Sequence, residues 1–269
     1  MDGFMTTPNL NAERIKKSLE KGKRFDGRKL EEFRDITIEY DVSKKAEGSV
    51  KVKIGNTEVV VGIKMDVSAP YPDSLDKGNL IVSAELLPLS SQRFESGPPR
   101  IEAIELGRVI DRGIRESKFI KFDKLCIEPG EKVWTVFVDI YSINDDGNLL
   151  DAAGIGAVAA LKAARIPKYD KEAGKVLYGE LTKEKLPLEK DIPIVITSHK
   201  IGNKVIVDPT REEEDISETR LTIGSSNGNI SSIQKGDSSA LTIEETLNMI
   251  DLIEMVEREV FKKIEKFLK

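Results

Sequence analysis

The stretch from Leu150 to Ala164 constrains the fold more than any other part of this chain. Alanines and glycines occupy every face of what reads as one helix, so no side is polar enough to meet water. Such a helix belongs in an interior, where small residues let its neighbours approach closely.

The surrounding pattern supplies those neighbours. Strand signals run through Phe33 to Asp41, Ser49 to Ile54 and Val59 to Met65, with Gly55-Asn56 as a tight hairpin turn. A proline- and glycine-bearing loop, Ser68 to Asn79, leads to a further strand, Leu80 to Leu87. Arg100 to Glu116 predicts a helix with Ile101, Ile104, Ile110 and Ile114 facing inward. Strands follow at Phe122 to Ile127 and Val133 to Ile143, then an Asn144-Asp145-Asp146-Gly147 turn into the small-residue helix.

Beyond the charged, proline-punctuated stretch Lys168 to Lys190, strands are expected at Ile192 to Thr197, Lys204 to Val207, Arg220 to Gly224 and Ile230 to Ile233. A long helix from Thr242 closes the chain, with a Thr242/Glu245 capping box. Its inward stripe reads Ile243, Leu247, Ile250, Ile253, Val256, Val260 and Ile264. An opening helix, Asn11 to Lys21, ends at Gly22. Strands then helices, given twice, predict an α+β fold of two unequal halves, residues 1–190 and 191–269.

Composition narrows the setting. A charged fraction of 33% beside 39% hydrophobic residues describes a heavily charged surface, and no apolar run approaches a bilayer's thickness. The start, Met1 to Glu20, has no apolar core followed by a cleavage site, so the expected location is the cytoplasm. One cysteine, Cys126, rules out an internal disulfide and a cysteine-cluster metal site, and reads as a small core residue. Lys and Glu dominate the charges and glutamine occurs only twice, a bias shared with proteins of hot environments. A net charge of −5 gives no global attraction to nucleic acid, so any RNA contact must come from a local basic patch.

Four features carry possible chemistry. Gly154-Ile155-Gly156-Ala157-Val158-Ala159 formally fits a dinucleotide fingerprint, but it lies well past the preceding strand, and helix packing explains the glycines better. His199, the sole histidine, reads as a polar residue at a strand end. The run Glu212-Glu213-Glu214-Asp215 reads as a solvated loop, with a divalent cation as the alternative. Arg108, Arg112 and Arg115 fall on one helical face, with successive guanidiniums about 5–6 Å apart along the axis. That spacing suits the phosphates of extended RNA; ion pairing of Arg108 with Glu105, Arg112 with Glu116 and Arg115 with Asp111 is the competing explanation.

Longer signatures run across the chain. Arg24-Phe25-Asp26-Gly27-Arg28 continuing to Arg34, Gly48-Ser49, Gly55-Asn56-Thr57, the Val136 to Ile143 strand with its Asp-Asp-Gly turn, and Ala164-Arg165-Ile166-Pro167 occur in order. Val205 to Thr210 precedes the acidic run. Together they resemble the ribonuclease PH family over nearly the whole chain, and most of all its non-catalytic branch in the archaeal exosome. That family degrades RNA from the 3′ end by phosphorolysis, inorganic phosphate attacking the last phosphodiester. The resemblance implies a ribonuclease PH-type fold.

The same resemblance locates the departures. Active members carry a Ser-Arg or Thr-Arg pair for phosphate just after the glycine turn, where this chain has Asn148-Leu149. They also carry an aspartate at the point where this chain has Arg220. A guanidinium never surrenders its proton near neutral pH and cannot serve as general acid. The resemblance therefore implies no catalytic residue and no metal or cofactor here. It implies instead a pseudoenzyme beside a catalytic relative in a hexameric ring of three heterodimers, with RNA-binding cap proteins and single-stranded RNA as further partners. Arg108, Arg112 and Arg115 are then the natural RNA-binding residues. A stand-alone phosphorolytic 3′-5′ exoribonuclease is the alternative.

Overall fold

Alternation of apolar and polar residues builds the first layer in the computed structural model, which describes residues 7–268. Strands β1 (Ile36–Tyr40), β2 (Gly48–Ile54), β3 (Thr57–Ser68) and β4 (Asn79–Leu86) join β5 (Cys126–Glu128) and β6 (Lys132–Asn144) in one sheet. The order is β1-β2-β3-β6-β4, with β5 appended to β6. Val50, Val52 and Ile54 on β2 and Val59, Val61, Ile63 and Met65 on β3 are wholly buried, as period-two alternation requires. Only β4 runs parallel to its neighbour, β6. A parallel pair needs a crossover, and helix α2 (Ile101–Glu116) lies within it. Helix α1 (Asn9–Glu20) precedes the sheet, and residues 1–6 of the expected leaderless start lie outside the described residues.

Helix α3 (Leu149–Ala163) is buried along almost its entire length, as its composition demands. A β-carbon on Gly156 would come within 2.7 Å of Val61 in the first sheet, and one on Gly154 within 3.1 Å of Val195 in the second. The helix is therefore the layer between two sheets, and its glycines are packing residues inside a helix rather than a phosphate-binding turn. The second sheet orders β9 (Ile194–Ile201), β10 (Lys204–Val207), β11 (Thr219–Ser226) and β12 (Asn229–Gly236) as β10-β9-β11-β12. Helix α5 (Ile243–Glu265) packs on β9 and β11 and reaches β1. This is a mixed α/β architecture of two unequal strand-and-helix halves, and one hydrophobic cluster runs from Phe33 to Leu268 through both.

Several local expectations change. Phe122–Leu125 forms a 3-10 turn, and only Cys126–Glu128 is strand. Cys126 is half-buried at a register shift rather than in the core. Lys168 to Lys190 is largely an exposed hairpin of β7 (Arg165–Asp170) and β8 (Lys175–Lys185). In α2, Ile101 and Ile104 point outward, and Ala103, Leu106, Gly107, Ile110, Gly113 and Ile114 face the interior. Small residues carry that inward face because β4 and β9 approach closely: a β-carbon on Gly107 would meet the Val82 carbonyl at 3.2 Å. In α5, Met249, Ile253, Val256, Val260 and Ile264 are buried, while Ile243 and Leu247 are exposed. At 100° per residue those two lie roughly a third of a turn from the buried row.

Candidate nucleic-acid interface

The tight turn before α3 depends on backbone geometry that few residues tolerate. Gly147 has φ 84°, and a β-carbon there would meet the Pro209 carbonyl at 2.5 Å. Asn148 follows in the left-handed region at φ 65°. Arg34 threads this turn, donating to the Asp146 carbonyl at 2.9 Å and the Gly147 carbonyl at 3.0 Å. Its guanidinium also clamps Asp208, at 2.9 Å through Nε and 2.7 Å through Nη2. Arg28 donates to the same carboxylate at 2.8 Å. Burial works to raise the Asp208 pKa, but Arg34 and Arg28 outweigh it and hold the carboxyl below its ordinary range. The signature arginines thus brace the turn.

The bracing consumes the groups that could have held phosphate. The Asn148 side-chain amide donates to Asp208 at 2.8 Å, and its backbone N–H donates to the Glu214 carboxylate at 3.0 Å. The positive end of α3 already faces a carboxylate of the chain itself. Leu149 is buried and offers no side-chain donor. A cleft of about 220 Å³ opens beside this turn, lined by Leu149, His199, Arg211, Glu214, Arg220 and Asp237 among others. Arg220 sits in it on β11, bonded to Glu105 at 2.6 Å and Asp237 at 3.4 Å. Acidic side chains do stand near position 220, but both neutralise its guanidinium. Arg211 is likewise held, by Asp215 and by Glu214 at 3.2 Å.

His199 lies within β9, opposite Arg220, and is 2% exposed. The expected strand-end position is therefore wrong: the ring is interior and contacts the Ser217 hydroxyl at 3.1 Å. Burial, reinforced by Arg220 and Arg211, pushes its pKa down to about 3, so it stays neutral. The acidic run is also no solvated loop. It forms helix α4 (Arg211–Asp215), because Thr210 and Glu213 make a capping box. Glu213 is buried against Arg24, and Glu214 and Asp215 bond Arg211. These carboxylates serve arginines.

The arginine row of α2 divides. Arg108 and Arg112 are exposed, and neither takes part in an ion pair among the described residues. The expected Glu105–Arg108 and Arg112–Glu116 pairs do not form. Both arginines border a groove of about 350 Å³ between α2 and β4, with Val82, Pro99, Ile104 and Gly107. Arg115 is different: it bonds Asp111 through Nε at 3.0 Å and Nη2 at 2.8 Å, and donates to the Leu80 carbonyl at 3.1 Å. Two bare guanidiniums and one restrained one share the face.

Sequence reasoning missed Asp151, a fully buried carboxylate in the first turn of α3. Burial pushes its pKa up to about 8, and neither carboxylate oxygen has a hydrogen-bond partner among the described residues. A lone acid in an Ala-Gly helix was the available signal.

Fold and site together define the class: the chain belongs to the 3′ exoribonuclease family, whose first-domain model matches residues 32–167 and second-domain model residues 191–252. Within that family it is similar to proteins called exosome complex component Rrp42. The Thermococcus onnurineus protein is 48% identical over 250 residues, covering 91% of both chains. The Methanosarcina acetivorans protein is 49% identical over 234 residues, covering 86% of this chain and 85% of that one. Among solved structures, a chain of the Archaeoglobus fulgidus exosome with RNA bound to the active site is 42% identical, with a TM-score of 0.86 over 95% of this chain and 98% of that one. Rice Rrp46, 17% identical with a TM-score of 0.68, shares the fold.

Proposed function

We propose that this chain is a non-catalytic subunit of an exosome-type ring that degrades RNA from the 3′ end by phosphorolysis. The observation that carries this reading is the closed state of the degenerate site. Arg220 is neutralised by Glu105 and Asp237, and the Asn148 amide is spent on Asp208. Among the described residues, no free cation remains at that turn to hold an attacking phosphate, and no free carboxyl stands where the leaving hydroxyl would need a proton. Near full-length similarity to Rrp42 proteins supports the same assignment.

The ring role follows from that inertness. A catalytic relative supplies the chemistry, in a hexamer of three heterodimers, and this chain shapes the relative's site. The face of Arg108, Arg112 and Arg115 contacts single-stranded RNA through phosphates, a grip that needs no base preference. Arg108 and Arg112 supply the free guanidiniums. RNA-binding cap proteins complete the assembly, which works in the cytoplasm. The chain divides functionally at the segment before Ile192, into residues 1–190 and 191–269. No helix among the described residues is long and apolar enough to cross a membrane.

The test is phosphate-dependent 3′ shortening of a single-stranded oligoribonucleotide. The chain alone should be inactive, should co-elute with a catalytic relative on size exclusion, and should be part of an active complex. Robust turnover by the chain alone would establish the stand-alone exoribonuclease instead.

A further inference from the structure

Arg108 has two carboxylates placed to pair with it on its own helix. Glu105 stands three residues before it and Asp111 three residues after, both spacings that bring side chains together on an α-helix surface. Neither pair forms. Asp111 is gripped from one turn further along by Arg115. Glu105 is drawn off the helix by Arg220, which reaches from β11 to bond it at 2.6 Å and has only 15% of its side chain exposed. The arginine that replaces an acid in the degenerate site therefore terminates on the acid beside the exposed arginine face.

We infer that Arg220 is a positioning residue for RNA contact, which keeps Arg108 unpaired by sequestering Glu105. This rests on the proposed RNA-binding role of the α2 face. Without Arg220, the Glu105 carboxylate has two ways to oppose RNA: it closes on Arg108 at i+3, or it stands uncompensated beside the phosphate path. Asp237 contributes to the same device from β12's end, at 3.4 Å, by giving the guanidinium a second anchor. The guanidinium at position 220 and the bare cation at position 108 are thus parts of one electrostatic arrangement.

The experiment measures binding of a single-stranded oligoribonucleotide to the ring assembled with a catalytic relative, in phosphate-free buffer so that phosphorolysis cannot proceed. Arg220→Ala should weaken binding about three- to tenfold, on the order of 1 kcal/mol. Adding Glu105→Gln to Arg220→Ala should restore it, because the uncompensated charge is gone. Arg220→Lys should bind nearly as well as the original chain. Glu105→Gln alone, which leaves the fold's arginines in place, should bind at least as tightly as the original. Failure of Glu105→Gln to rescue Arg220→Ala would overturn the inference and make Arg220 itself an RNA contact. So would unchanged binding in Arg220→Ala while Arg108→Ala weakens it, and that outcome would leave the functional reading standing. Unchanged binding in both Arg108→Ala and Arg112→Ala would instead remove the reading on which the inference rests.

Discussion

Arg24 and Glu213, 189 positions apart, meet in a two-pronged ion pair whose side chains are 0% and 5% exposed. The same guanidinium donates to the Val207 and Asp208 carbonyls, so it seals the junction between the chain's opening segment and α4. Breaking one side of such a pair strands a buried charge, which is far more costly than removing both partners.

Glu213→Gln or Arg24→Ala should therefore destabilise the chain by about 3–5 kcal/mol, read from urea unfolding. The combined change Arg24→Met with Glu213→Leu should recover much of that loss. If the single variants unfold at the original midpoint, the pair is not structural.

Gly48 opens β2 against the C-terminal end of α3. A β-carbon there would stand 2.6 Å from the Ala160 carbonyl and 2.8 Å from Ala164, both backbone atoms that cannot swing away. Gly48→Ala should cost about 1–3 kcal/mol by overpacking, although alanine is ordinarily harmless in a strand. A thermal midpoint equal to that of the original chain would show that α3 and the sheet have slack.

The buried acid and the buried base set opposing pH dependences. Asp151 has a folded value of about 8 against an ordinary 3.8, so the folded chain holds an extra proton and stability falls as pH rises between them. His199 has a folded value of about 3 against an ordinary 6.5, so stability falls as pH drops through that window. Where the windows overlap, 3.8 to 6.5, the two slopes cancel; from 6.5 to about 8 only the Asp151 decline remains. Denaturant titrations should show that decline in the original chain and its loss in Asp151→Asn. His199→Gln should extend the decline down toward pH 3.8. An unaltered profile in Asp151→Asn would assign the slope to other groups.

Arg220→Asp alone should not create phosphorolysis. It places an acid at position 220, but the turn keeps the Asn148 amide on Asp208 and a buried Leu149, neither of which offers a cation to an attacking phosphate. Shortening of RNA by this single variant, without a catalytic relative, would show that the anion pocket is intact after all.

Much of this was legible from residue order. The Ala-Gly composition of Leu150 to Ala164 required burial, and the period-two runs of β2 and β3 assigned their inward faces, because both signals depend only on neighbours along the chain. The capping box at Thr242 was legible for the same reason. Where packing partners came from afar, local pattern misled. Ile101, Ile104, Ile243 and Leu247 looked like core residues, yet the inward faces went to Gly107, Gly113 and Met249, since the opposing layer decides which side of a helix is covered.

The amino-acid order by itself determined most of the elements and the identities Asn148-Leu149 at the turn and Arg220 on β11, since these are properties of residue type and spacing. Tertiary structure alone decided which charges remain free. Arg108, Arg112 and Arg115 look equivalent along the helix, but Arg115 keeps its helical partner Asp111 while Glu105 leaves Arg108 for a residue 115 positions away. Electrostatic pairing follows distance in space, and that distance exists only once β11 has been laid beside α2.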